Sequence, residues 1–334
     1  LFILEDIMRF ARWSAYAFIL GFALSAGGPD SLGRGATVRG APNNVPELIE
    51  GMRSSDVAAQ PACVAVSAAA ALANATGAGV RVAILDGGFD FRHELLAGRL
   101  GAQFDALDVD AQAQDLGNGV DDDADGLKDG FVGHGTFVAG LVATCAPGAV
   151  ILPIRVLDDE GRGNPEALAR GVDAAVALGA DVINMSLVST TTNLHLQLAL
   201  QTAVSAGVVL VSAAGDDPCG PFNAQYVRER TIQVGAVDSS LVRAAFSPGS
   251  SIVDVFAPGV DVLGPLGGAV DDSYAKWSGT SFSAPFVSAA AALVREDYPS
   301  MSVSAMRTRL ASATNAVSGQ TDGAVDLLKA VTAQ

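Results

Sequence analysis

From Val80 onward, short apolar runs recur along the chain. They are RVAIL (81–85), AVILPIRVL (149–157), DVINMSL (181–187), VVLVSAA (208–214), TIQVGAV (231–237) and IVDVFAP (252–258). The first is β-branched and ends in Asp-Gly-Gly, which predicts a buried strand followed by a turn; the others read alike. Helix-like stretches lie between several of them: FVAGLVAT (137–144), PEALARGVDAAVALG (165–179) and LHLQLALQTAVSAG (194–207). In 165–179 the apolar residues recur at spacings of three and four, giving one buried face. The run FSAPFVSAAAALVR (282–295) is almost wholly apolar and predicts a helix buried on most sides. Strands alternating with helices imply right-handed crossovers and an α/β fold with a doubly wound, mostly parallel sheet. There are no internal repeats.

Composition changes this picture little. The chain has 334 residues, half of them hydrophobic, enough for one large α/β domain with short extra segments. Its formal net charge of −16 excludes nucleic acid and anionic membrane surfaces as partners. The sequence begins at Leu1, with Met8 as a candidate start or Leu1 as an alternative initiation codon read literally. From Met8, a basic stretch, an apolar run of about 14 residues and small residues near Ala26 give residues 1–26 the pattern of a secretory signal peptide. That run is shorter than the roughly 20 residues a membrane span needs, so no stable span is expected. Residues 27–60 are rich in Gly, Pro and Ser without periodicity and read as a linker or short pro-segment, leaving 61–334 as the main domain. A secreted or periplasmic monomer is expected. Cys63, Cys145 and Cys219 allow one internal disulfide at most, and Cys145, in an apolar run, reads as buried.

Three motifs carry candidate chemistry. Asp86-Gly87-Gly88 follows a strand, and sites of such sheets lie beyond the carboxyl ends of the strands. Gly133-His134-Gly135-Thr136 opens a helix. Gly279-Thr280-Ser281-Phe282-Ser283-Ala284-Pro285 opens the apolar helix. A serine hydroxyl is a weak nucleophile until a base takes its proton, and a histidine is a good base once a carboxylate fixes its tautomer. A serine at a helix N-terminus sits in a positive field beside free N–H groups.

In this order and with these surroundings, Asp86, His134 and Ser281 resemble the catalytic triad of the subtilisin family. VRVAILDGG, HGTFVAGLVA, INMSL, TIQVGAVD, VDVFAPGV and GAVDLLKAV continue the resemblance in order over about residues 60–332. It implies a three-layer α/β/α domain and a serine endopeptidase working through an acyl-enzyme on protein or peptide substrates. It also implies a substrate cleft with Gly161 and Gly163 on one edge, and with Ser186, Leu187, Val188, Ala213 and Gly215 on the other side. GRG (161–163) would let a substrate strand approach closely.

The sequence departs from the family pattern in four places. Asp216 stands where the family has an Asn that donates a hydrogen bond to the oxyanion. A carboxylate has no donor; loss of this one costs roughly 2.7–4 kcal/mol, a figure that comes from subtilisin itself. A protonated Asp216 could donate, so a slowed or acid-shifted enzyme is expected. One animal prohormone-processing branch of the family carries Asp here and is active. Asn223 in the same loop is an alternative donor. Val188 replaces a usual Gly and adds bulk to the specificity pocket, suggesting small side chains. Phe282 replaces an oxidisable Met. The segment before the first core strand is shorter than the usual prodomain.

Residues 121–130, DDDADGLKDG, place Asp121, Asp123, Asp125, Gly126 and Asp129 at the spacing of a calcium loop, with Val132 where the twelfth-position Glu belongs. A structural calcium site just before His134 is therefore expected, against a plain solvated acidic turn. Two further function classes compete with an active peptidase. One is a catalytically impaired binding or scaffold protein on the same fold. The other is a dinucleotide-binding oxidoreductase, which DGGFDF does not support for want of a Gly-rich turn.

Overall fold

A computed structural model describes residues 37–40, 44–115, 117–122, 126–220, 222–268 and 272–333. The expected signal peptide, 1–26, lies outside the described residues, as do Asp123 and Asp125 of the acidic loop. In chain order the strands are β1 (Val38–Gly40), β2 (Glu47–Leu48), β3 (Arg81–Asp86), β4 (Phe104–Asp105), β5 (Val150–Arg155), β6 (Arg162–Gly163), β7 (Val182–Met185) and β8 (Leu187–Ser189). They continue as β9 (Val209–Ala213), β10 (Ile232–Val237), β11 (Val255–Pro258), β12 (Val262–Leu266), β13 (Ser273–Trp277), β14 (Thr314–Asn315) and β15 (Ala324–Val325).

The central sheet runs β14-β15-β11-β10-β9-β7-β3-β5-β4 among the described residues, and only the β14–β15 pair is antiparallel. The apolar runs fill it because both faces are covered. The two-residue period of a strand then divides its side chains between two cores. Val82 and Ile84 of β3 join the core containing helices His134–Cys145 and Thr280–Asp297, whereas Ala83 and Leu85 join the core of helices Pro165–Ala177 and Leu194–Ser205. This is the three-layer α/β/α arrangement.

The helices on the second face start where their side chains dictate. Asn164 accepts hydrogen bonds from the Glu166 and Ala167 amides, with Pro165 in the first turn, and Asn193 accepts from the Leu196 amide. On the first face, the helix expected from residue 137 begins at His134, and the one expected from 282 begins at Thr280. Both start inside their motifs. The run 181–187 is divided at Ser186 into β7 and β8, which belong to different sheets. Residues 262–266 and 273–277, unassigned from sequence, form the antiparallel β12–β13 pair, to which β2 adds antiparallel.

Strand β3 lies between β5 and β7. After β3 the chain adds β4 and β5 on one side of it and then β7 on the other. This is the topological switch point at which such sheets open a crevice beyond their carboxyl ends. Asp86 ends β3, and the register Leu85↔Met185 brings Ser186 beside it.

Candidate active site

The turn after β3 is built for close approach. Gly87 donates its N–H to Asp86 Oδ1 at 2.8 Å. A Cβ on Gly135 would fall on the Gly88 carbonyl oxygen, so only glycine lets the His134 helix pack against this turn. His134 is thereby delivered to Asp86: its Nδ1–H donates to Asp86 Oδ1 at 2.8 Å, and both side chains are fully buried. That hydrogen bond fixes the tautomer with Nε2 as acceptor. Among the described residues neither Nε2 nor Asp86 Oδ2 has a partner.

An aromatic shell holds the imidazole. Phe131 stacks on it at 4.1 Å between centroids, Trp277 meets it edge-on at 5.4 Å, and Phe282 lies at 5.2 Å. The residue after Ser281 is therefore part of this shell. The amide of Gly133, which precedes His134, donates to Asp115 Oδ2 at 2.5 Å. Burial, with a further push from the charge of Asp86, raises the Asp115 carboxyl to about 7.

Ser281 is the second residue of its helix, and Pro285 lies within that helix. Proline has no N–H, so the Ser281 carbonyl loses its partner four residues on. Ser186 takes its place, donating its hydroxyl to that carbonyl at 2.6 Å. In return the Ser281 hydroxyl donates to the Ser186 carbonyl at 3.1 Å. Asn184 donates to Ser186 Oγ at 2.9 Å and accepts from Ser288 at 2.8 Å, completing a buried polar chain beneath the helix. The Ser281 hydroxyl thus faces Ser186 instead of the vacant Nε2. Such bonds are often unformed before substrate arrives.

Asp216 lies against the same helix terminus. Its Oδ1 accepts from the Thr280 amide at 2.8 Å and the Thr280 hydroxyl at 2.7 Å. Gly215 in turn donates to Thr280 Oγ1. Oδ2 is buried and without a partner among the described residues. Burial outweighs the two Thr280 bonds and pushes this carboxyl up to about 7. The alternative donor, Asn223, is committed elsewhere: its amide donates to Ser212, Ala213 and Gln233 and accepts from the Ser189 amide.

The expected cleft edges face each other across an occupied groove. Strand β1 lies antiparallel between β6 and β8, pairing Val38 with Gly163 and Ser189, Arg39 with Arg162 and Val188, and Gly40 with Leu187. The Gly40 amide also donates to the Gly161 carbonyl at 2.9 Å. Val188 packs on Ala213 at the floor. The Asn44 side chain accepts from the Ser278 amide at 3.0 Å, and its carbonyl accepts from Trp277. Strand β1 falls in the stretch expected to be a linker or short pro-segment; three residues with no alternation carry no strand signal.

In the acidic loop, Asp121 accepts from the Gly126 amide at 3.0 Å, and Gly126 turns with φ +96°. Asp129 instead accepts from the Asn118 and Gly119 amides. Among the described residues no group of three or more His, Cys, Asp or Glu is placed to hold a metal ion. Cys63 and Cys145 are buried and Cys219 is exposed, all three as thiols. Among the described residues no helix is long and apolar enough to cross a membrane.

The Subtilase family model matches residues 77–328. Subtilisin E of Bacillus subtilis is 35% identical over 252 residues, which cover 71% of this chain and 61% of that protein. The chain thus spans about three fifths of that relative's length. Subtilisin Savinase of Lederbergia lenta is 35% identical over 244 residues, covering 70% of this chain and 83% of that protein. Among solved structures, a protease of Pseudoalteromonas arctica superposes with a TM-score of 0.70 at 29% identity, over 80% of this chain and 93% of that one. Fervidolysin of Fervidobacterium pennivorans, a keratinolytic enzyme related to subtilisin, shares the fold with a TM-score of 0.72 at 24% identity, over 88% of this chain and 51% of that one. The fold, the order of its motifs and these similarities agree: the chain belongs to the subtilase family.

Proposed function

We propose that this chain is a secreted or periplasmic serine endopeptidase that hydrolyses peptide bonds through an acyl-enzyme on Ser281. The observation that carries this reading is the His134 Nδ1–Asp86 Oδ1 hydrogen bond, with Nε2 left unpartnered in the crevice that also holds Ser281. The Ser281 side chain turns from the Ser186 carbonyl toward Nε2. Nε2 takes the hydroxyl proton as Oγ attacks the substrate carbonyl. The Ser281 backbone N–H and a protonated Asp216 Oδ2 donate to the resulting oxyanion. The tetrahedral intermediate collapses, His134 returns its proton to the leaving amine, and the acyl group stays on Ser281. A water then repeats the sequence and frees Ser281.

Substrates are proteins or peptides that add as a strand between β6 and β8. Residues 37–40 hold that position, which supports the reading of 27–60 as a pro-segment that keeps the chain latent. The acidic loop is proposed to bind a structural calcium ion through Asp121, Asp123 and Asp125. Asp129 would join only by releasing the Asn118 and Gly119 amides.

A binding or scaffold protein on the same fold is the second reading, favoured by the filled groove and by the Ser281 hydroxyl turned to Ser186. A serine-directed fluorophosphonate separates the two. Covalent labelling that Ser281→Ala abolishes supports the peptidase. Absence of labelling after residues 37–40 have been displaced refutes it.

A further inference from the structure

Gly40 sits against Phe131 in the occupied groove. Its backbone does not call for glycine: it lies in a paired strand and has no positive φ. The space does. A Cβ at this position would clash with the Phe131 ring carbons Cε2 and Cζ.

Phe131 is held on three sides. A Cβ on Gly87 would meet its Cδ1 at 2.7 Å, and one on Gly161 would meet its Cδ2 at 2.7 Å, so backbone walls both ring edges. One face lies on the His134 imidazole, 4.1 Å away and 22° from parallel. The residue is 4% exposed. A packed aromatic ring confined on both edges and one face does not yield cheaply to an added side chain.

We propose that Phe131 is a specificity-determining residue that closes the subsite opposite Leu187, so that this enzyme selects peptides with glycine at that position. The next residue of a peptide in this register falls opposite Ser186, whose carbonyl holds the Ser281 hydroxyl. The selected glycine therefore directly precedes the residue whose carbonyl is attacked. Gly40 satisfies the same requirement within the chain. The inference rests on the peptidase reading of the groove.

The test uses the full-length chain and the rate of fluorophosphonate labelling at Ser281, in the wild type, G40L, F131A and G40L/F131A, with S281A as blank. A leucine at position 40 unseats β1 when Phe131 is present, so G40L labels about tenfold faster than wild type or more. In the F131A background the room is restored, and the same substitution changes the rate less than about twofold. An equal G40L effect in both backgrounds overturns the assignment of Phe131.

Peptides added to the wild-type chain after residues 37–40 have been displaced decide the matter independently of how the variants fold. Acetyl-Val-Arg-Gly-Ala-amide is expected to protect Ser281 at a concentration about tenfold or more below acetyl-Val-Arg-Leu-Ala-amide. Equal protection by the two overturns the selection for glycine. Labelling that stays at the S281A level in all variants would instead overturn the peptidase reading itself.

Discussion

At the scale of single residues, the site turns on two side chains that hold the start of the Ser281 helix. Asp216 spends one oxygen on Thr280 and leaves the other buried. A carboxyl held near 7 can donate below that pH and repels an oxyanion above it. Turnover is therefore expected to fall as pH rises through about 7, by loss of the Asp216 proton. Asp216→Asn supplies a donor at every pH and should remove that fall, raising kcat at pH 8 by about tenfold or more, since one such donor is worth several kcal/mol. A pH–rate profile that is unchanged by the substitution, or lowered throughout, would refute this role.

Ser186 is the second such residue. Its hydroxyl is the partner of a carbonyl that Pro285 leaves without one. Ser186→Ala would orphan a buried acceptor, a loss of about 1–3 kcal/mol. Denaturant unfolding should show that loss, and fluorophosphonate labelling should slow as the start of the helix relaxes. The motif Thr280–Pro285 and the Ser in INMSL could each be read from sequence. Their dependence on each other could not, because it exists only once a strand end and a helix start meet.

At the scale of elements, the helix His134–Cys145 is placed by what it lacks. Gly135 allows contact with the Gly88 carbonyl, and that contact sets the reach from His134 to Asp86. Gly135→Ala meets backbone instead of a flexible side-chain end. It should cost roughly 1–3 kcal/mol in thermal unfolding and reduce labelling of Ser281 by about tenfold or more. Wild-type labelling in a folded G135A protein would show that the close approach is dispensable. Strands β3, β5, β7, β9, β10 and β11 and four long helices were legible in the sequence because each buries a pattern of apolar residues, whereas β4, β14 and β15 of the same sheet are only two residues long and were not. The β12–β13 pair, β1 and β6 were not legible either, since short edge strands bear little periodicity and pair through backbone atoms any sequence provides.

At the scale of the whole molecule, two buried carboxyls shape stability against pH. Asp115 and Asp216 both stand near 7 in the folded chain and near 3.9 when unfolded. Between those values the folded state binds more protons, so stability falls as pH rises through the window. Their contribution is complete below the unfolded value and gone above about 7. Asp115→Asn and Asp216→Asn should each flatten this decline in melting temperature between pH 4 and 8; parallel curves for variant and wild type would refute the assignment. The acidic loop adds a second condition. Chelation should lower the melting temperature and slow labelling of Ser281, because the loop leads directly into Phe131 and His134. A melting temperature indifferent to chelator and to added calcium would remove the ion from the picture.

The resemblance to the family marked the departure at Asp216; what the sequence determined by itself was whatever short-range pattern carries: the α/β class, the strands buried on both faces and the three motifs. These follow from periodicity and from residue chemistry over a few neighbours. Only the tertiary structure decided what those residues meet. It seated β1 between β6 and β8, walled Phe131 with three glycines, gave the Ser281 carbonyl to Ser186 and withdrew Asn223 into the sheet. Each of these is a contact between segments far apart along the chain, set by backbone geometry and packing that no local pattern encodes.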